Sequence, residues 1–248
     1  MEERLQKILA RAGFGSRRDC EELIRHRRVT VNNQVAQLGQ KADPDRDHIA
    51  VDGRQVQPTR QRTYVAFHKP RGVLSDGGSD HRPTVVDLVP LPGRLFSVGR
   101  LDLRSEGLIL LTDDGELANL LTHPRYEHTK EYHVYVEGHP RDETLGRWRR
   151  GVLVDGRQTA PAEVSVLRHE GDGTWLRVVL REGRKRQIRR VAAILGHPVH
   201  RLIRIRIGPV HLGTLRPGEW RYLTKRELRE LEELKQQLSG AISDKGGG

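Results

Sequence analysis

Apolar Leu5, Ile8 and Leu9 recur at helical spacing near the start of the chain, and the pattern breaks at Gly13 and Gly15. A second helix is predicted from Ser16, whose side chain can accept from the free amides of a first turn, with Leu23 and Ile24 supplying its apolar face. The short runs "VTVN" and "HIAVDG" then read as strands, each closed by a turn residue. These elements predict a compact unit over residues 1–53. Residues 54–63, "RQVQPTRQRT", hold a proline, polar side chains and almost no apolar periodicity, which predicts a linker.

A larger module is predicted over 64–238. "TYVAFHKP", "GLILLT", "EYHVYVEG" and "TWLRVVLR" are apolar or alternating runs bounded by Gly, Pro and Asp, the pattern of short strands. Two helices interrupt them. In "DDGELANLLTH" Asp113 is placed to cap and Leu117, Leu120 and Leu121 face inward, while "QIRRVAAILG" ends at Gly196 with Pro198 beyond. Further on, Thr224 and Glu227 stand at capping-box spacing ahead of leucines at 228, 231 and 234. Residues 239–248 carry too little apolar surface to order themselves and are read as a disordered tail.

Charge narrows the class of partner. The chain has 44 Lys and Arg against 33 Asp and Glu, a formal net charge of +11. Between Arg181 and Arg206 nine basic residues meet one Glu, so the excess is concentrated where a phosphate backbone would reward it rather than spread by compositional drift. The single Cys20 excludes an intrachain disulfide and any cysteine-rich metal cluster. Apolar runs are too short to span a membrane, and "MEERLQKILA" lacks the apolar core of a signal peptide, so a cytoplasmic location and no membrane partner are expected. No dinucleotide fingerprint, P-loop or metal-ligand cluster is evident, and neither cofactor nor metal is expected.

Specific motifs carry the rest. Arg17, Arg18, Arg25, Arg27 and Arg28 gather on the second helix and its exit, and "SRRDCEELIRHRRVTVN" resembles the signature of the S4 RNA-binding domain. "GRLDLRSEGLILLTDDGEL" is similar, almost residue for residue through Gly99, Arg100, Leu101, Asp102, Ser105, Gly107 and Leu108, to the catalytic signature of pseudouridine synthases, in particular the ribosomal-RNA group related to RsuA and RluB. "HKPRGVLS", "KEYHVYV" and "LREGRKRQIRRVAAILGHPVHRLIRIRIG" resemble the other motifs of that family, in the same order. Arg186 departs from the pattern, because many relatives carry His there; "GRKRQIRR", "RLIRIRIG" and "GEWRYLT" are closer to the RluB and RluF branch.

The resemblance implies an α+β chain: a small S4-like domain, then a synthase domain on a curved, mainly antiparallel sheet flanked by helices. It also implies isomerisation of a uridine in large-subunit (23S) ribosomal RNA, in the peptidyl-transferase region, without redox change or hydrolysis. A transfer-RNA or small-subunit target, or a non-catalytic assembly factor, is the alternative. Asp102 would be the reactive carboxylate, adding to C1′ or assisting loss of the 2′ proton. Tyr132 would lie against the flipped base and Arg184 would pair with Asp102, with Lys185 and Arg189 as other possible partners. Arg100 would fill the place the base has left, or serve as a structural ion-pair partner. Lys130, Leu180, Lys185, Arg186, Arg189 and Arg190, with Arg17, Arg18, Arg25 and Arg28, are the expected substrate-binding residues. The expected partner is large-subunit RNA or a pre-ribosomal particle, bound by a monomer.

Overall fold

The computed structural model describes residues 2–57, 62–77, 81–123, 126 and 128–243, with side chains to residue 236. The described chain forms two units: Met1–Thr63 with Leu91–Leu95, and Tyr64–Pro90 with Phe96–Gly248.

In the first unit, β1 (Glu3–Arg4) leads into α1 (Leu5–Arg11) and α2 (Arg17–Arg25), followed by β2 (Val29–Val31), β3 (Gln34–Val35), β4 (Lys41–Ala42), β5 (Ile49–Val51) and β6 (Arg54–Gln55). Ser16 caps α2 in a reciprocal capping box with Asp19. Leu5, Ile8, Leu9, Cys20 and Ile24 from the two helices pack on Val29, Val31, Ile49 and Val51 from the strands. The unit extends past Gly53. β6 pairs with β5, and Val56 is buried in the same core, so the first part of the predicted linker is folded; residues 58–61 lie outside the described residues.

The second unit contains β7 (Tyr64–Lys69), β8 (Phe96–Val98), β9 (Glu106–Thr112), α3 (Gly115–Thr122), β10 (Lys130–Glu137), α4 (Asp142–Arg150), β11 (Leu153–Val154) and β12 (Arg157–Gln158). It continues with β13 (Glu163–Glu170), β14 (Gly173–Leu180), α5 (Gln187–Ile194), β15 (Val199–Ile207), β16 (Val210–His211), β17 (Trp220–Tyr222) and α6 (Lys225–Ser243). Its main sheet runs β13-β14-β10-β15-β9-β7-β17. β15 and β9 are parallel, and the other neighbouring strands are antiparallel. The architecture is the expected α+β arrangement.

Two apolar cores lie along this sheet. One joins Val134, Val136, Leu176, Val178 and Leu202 of the strands to Leu145 and Trp148 of α4 and Val191 and Ala192 of α5. The other joins Ala66, Leu108 and Leu110 to Leu117, Leu120 and Leu121 of α3 and Leu231 of α6. The cap of α3 is Asp114 rather than Asp113: its carboxylate accepts from the amides of Glu116 and Leu117. Helix α6 runs to Ser243, through the first part of the predicted tail; residues 244–248 lie outside the described residues. No helix among the described residues is long and apolar enough to cross a membrane.

Strand β9 positions the site. It pairs with β7 from Gly107 to Thr112, while β15 pairs with Glu106 and Gly107 and β8 pairs from Leu110 to Thr112. The loop 99–105 leaves β8 and enters β9 at this change of partner.

Candidate active site

A chain segment that must present one carboxylate in a defined direction needs its own backbone held. In the loop from Arg100 to Ser105 every carbonyl accepts a hydrogen bond. Arg204 Nη1 donates to Arg100 O at 3.4 Å, Ser75 Oγ to Leu101 O at 2.8 Å, and the Ser105 amide to Asp102 O at 2.9 Å. The Gly72 amide donates to Leu103 O at 2.8 Å, Arg71 Nε and Arg189 Nη2 donate to Arg104 O at 3.2 Å each, and Lys69 Nζ donates to Ser105 O at 2.9 Å. Ser75 also accepts from the Leu101 amide at 2.9 Å, closing a two-way clamp. Such a loop is preorganised: its geometry is paid for in folding and not at the moment of reaction.

Two of these clamps are buried cations. Lys69 is completely buried, and burial drives its pKa down to about 8, a fall that the charges of Asp102 and Glu106 partly offset. Arg204, only 3% exposed, also donates through Nε to Leu108 O at 2.7 Å, satisfying the β9 carbonyl left open where β15 departs. Gly107 makes that contact possible. With φ +107°, it lets β15 approach so closely that a Cβ there would stand 2.3 Å from Arg204 O and 2.5 Å from Arg204 N.

Asp102 opens onto a cavity of about 510 Å³ between the two cores, in the range of small-molecule and cofactor pockets. Leu101, Tyr132, Leu180, Ile188 and Leu202 form an apolar wall, and Tyr132 is buried on β10 opposite Val178 of β14 and Arg204 of β15. Eight Lys or Arg residues line the cavity against three acids, Asp76, Asp102 and Glu182. Asp76 pairs with Arg100 at 3.5 Å. Glu182 is engaged by the Ala160 amide, Arg184 and Gln187. The Asp102 carboxylate takes no hydrogen bond from the described residues and meets Arg186 Nε at 3.7 Å, an ion pair longer than a hydrogen bond. Its oxygens are therefore oriented by charge while their lone pairs stay available.

A family model described as RNA pseudouridylate synthase matches residues 63–193, and an S4 domain model matches residues 3–47. The chain belongs to the RNA pseudouridylate synthase family. It is 44% identical over 235 residues to an uncharacterized RNA pseudouridine synthase of Aquifex aeolicus, covering 93% of this chain and 94% of that one. It is 42% identical over 243 residues to the ribosomal large subunit pseudouridine synthase B of Pseudomonas aeruginosa, covering 93% and 62%. The protein of that same description from Bacillus subtilis is 40% identical over 237 residues, covering 94% and 96%. A solved structure described as a crystal structure of pseudouridylate synthase superimposes with a TM-score of 0.65 at 30% identity, over 92% of this chain and 99% of the other.

In this synthase the position expected for the partner of Asp102 shifts by two residues. Arg184 is turned away: Nε donates to Glu182 at 3.1 Å, Nη1 to Arg157 O at 3.3 Å and Nη2 to Gln158 O at 2.6 Å, anchoring the β11–β12 hairpin. Arg186, in the left-handed region at φ 53° as the residue before α5, supplies the guanidinium that meets Asp102. Arg189 is a second neighbour. Burial lowers its pKa and the Asp102 charge opposes that fall, while its guanidinium donates to Val199 O at 3.2 Å and Ser105 Oγ at 3.3 Å.

The remaining expected binding residues divide by engagement. Lys185 and Arg181 line the cavity exposed and without an acidic partner among the described residues. Lys130 lines it too, with Nζ on His128 O at 3.2 Å. Arg190 instead pairs with Asp155. In the S4 unit, Arg17 and Arg18 are exposed, Arg25 pairs with Glu22, and Arg28 forms a two-pronged pair with Asp52 at 2.9 and 2.5 Å. The sequence reading gave no role to Lys69, Ser75, Arg204 or His128. Lys69 stood in a quoted motif and Arg204 in the basic segment, but nothing local marks either as buried.

Proposed function

We propose that this synthase isomerises a uridine of large-subunit ribosomal RNA and that Asp102 is its reactive carboxylate. The observation that carries the residue assignment is that Asp102 sits on the clamped loop, beside the Arg186 guanidinium and with oxygens that take no hydrogen bond among the described residues, while Glu182 is hydrogen-bonded and Asp76 is twice as exposed (61% against 32%). Support for the RNA class comes from the two relatives described as large-subunit synthases and from the S4 match.

The chemistry follows from that arrangement. The target uridine leaves its stack, at a cost of roughly a few kcal/mol, and its base enters the cavity against Tyr132. Base–aromatic stacking returns about 1–3 kcal/mol. The C1′–N1 bond breaks with Asp102 beside the sugar, either bonding to C1′ or removing the 2′ proton; both routes need an ionised, unencumbered carboxylate. The uracil turns and C5 bonds to C1′ as Asp102 leaves that carbon or gives the 2′ proton back to C2′; C5 gives up its proton and N1 takes one, so the product is an isomer of the substrate. Arg186 sets a guanidinium 3.7 Å from the Asp102 carboxylate, and the clamped loop keeps that carboxylate pointed at the sugar.

The test is tritium release from C5-labelled uridine in a large-subunit RNA fragment from the peptidyl-transferase region. Wild type should release tritium and Asp102→Asn should not, while RNA affinity stays within several-fold. Release by Asp102→Asn at near the wild-type rate would refute the assignment.

A further inference from the structure

The cavity holds more buried positive charge than its carboxylates neutralise, and the surplus is localised. Arg204 is 3% exposed, and its Nη2 is buried with no hydrogen-bond partner among the described residues. His128 is 7% exposed, and its Nε2 is likewise buried and unpartnered. Lys130, whose ammonium meets only the carbonyl of His128 among the described residues, completes the group. All three line the cavity. Burial lowers the pKa of Lys130 and the nearby Arg204 charge lowers it further; burial and then Lys130 lower that of His128, a fall that the Leu120 backbone carbonyl partly opposes. Among the described residues no carboxylate acts on either group, whereas Lys69 and Arg189 are both stabilised by Asp102. Buried polar atoms without partners, gathered around uncompensated charge, are costly unless a ligand completes them.

Position relates this group to the stacking ring. Lys130 lies two residues before Tyr132 on β10 and so shares its face of the sheet, and Arg204 is the register partner of Tyr132 across β15. An anion held by these side chains would therefore lie next to the Tyr132 ring. A phosphate suits the site: its oxygens can accept from a guanidinium, an ammonium and an imidazole at once, and charge-assisted bonds of this kind are the strong ones. We propose that Lys130, Arg204 and His128 Nε2 form the seat for a backbone phosphate of the nucleotide whose base lies against Tyr132. The inference rests on the reading of the cavity as a uridine site. It adds that the sugar–phosphate end of that nucleotide is recognised inside the cavity, so docking is directed before any base chemistry.

The full chain, labelled with 15N at its histidine rings, is titrated by NMR with uridine 5′-monophosphate, uridine and inorganic phosphate. The monophosphate should bind at least tenfold more tightly than uridine and shift the His128 ring resonances; Lys130→Met should reduce its affinity to that of uridine and leave uridine binding unchanged. Equal affinity of wild type for the monophosphate and uridine overturns the seat, as does a preference that survives both Lys130→Met and Lys130→Gln. If Lys130→Met fails to fold, Lys130→Gln and the wild-type ratio decide. A response to inorganic phosphate as strong as to the monophosphate overturns the nucleotide assignment in favour of a free-anion site. Tritium release measured in parallel separates the two readings: release without a monophosphate preference removes the seat alone, and the preference without release removes the isomerisation reading alone.

Discussion

The Lys69 ammonium donates to the Ser105 carbonyl at 2.9 Å and thereby fastens the end of β7 to the loop that carries Asp102. A second bond, to Pro70 O at 3.0 Å, fixes the ammonium itself. The linkage is buried, so removing it leaves two carbonyls unsatisfied and the loop free to shift.

Lys69→Met should lower kcat roughly tenfold with KM near wild type, because the loss falls on the orientation of Asp102 rather than on RNA contacts. Steady-state kinetics on one RNA fragment reads this split. A change confined to KM would mean that Lys69 acts on binding.

Stability should also depend on pH through this residue. Burial takes the folded-state pKa from 10.5 to about 8, so between these values the unfolded chain binds the proton that the folded chain has released. Stability therefore rises with pH across that window, by about 3 kcal/mol for this group over the whole range. Urea unfolding at several pH values should show a shallower rise in Lys69→Met than in wild type.

Gly107→Ala should cost about 3 kcal/mol or more, since its Cβ would collide with the Arg204 backbone at a φ that alanine rarely adopts. Chemical denaturation measures the loss. Recovery of wild-type stability would show that β15 can move away from β9 without penalty.

Arg184 and Arg186 should separate cleanly. Arg186→Gln removes the ion pair to Asp102 and should lower kcat/KM by about tenfold or more. Arg184→Gln removes the anchor of the β11–β12 hairpin and should instead lower stability by about 1–3 kcal/mol. Paired kinetic and unfolding measurements on both variants check the assignment.

Salt dependence should report the exposed cations. Lys185 is exposed and lacks an acidic partner among the described residues, whereas Arg190 is already paired with Asp155. Lys185→Gln should reduce the slope of log affinity against log salt by about 0.7–0.9 if it loses one phosphate contact. Arg190→Gln should change it less, as its charge is partly spent within the protein.

Much of the frame was legible in the chain itself. The spacing of Leu5, Ile8 and Leu9, the Ser16 cap and the alternation in "EYHVYVEG" each report local geometry, because a helix face or a strand face is defined by neighbours only a few residues away. The Asp102 motif likewise carried its identity in consecutive residues. Tertiary structure decided what those patterns cannot encode. Whether Arg184 or Arg186 reaches Asp102 depends on a left-handed backbone at 186 and on competing carbonyls at Arg157 and Gln158. Lys69 and Arg204 count in the sequence as charged residues, yet at the change of strand partner near the start of β9 both are buried and donate to the carbonyls of Ser105 and Leu108. The physical reason is common to both: a charge is placed by whichever acceptors the fold brings within reach, and those acceptors come from distant parts of the chain.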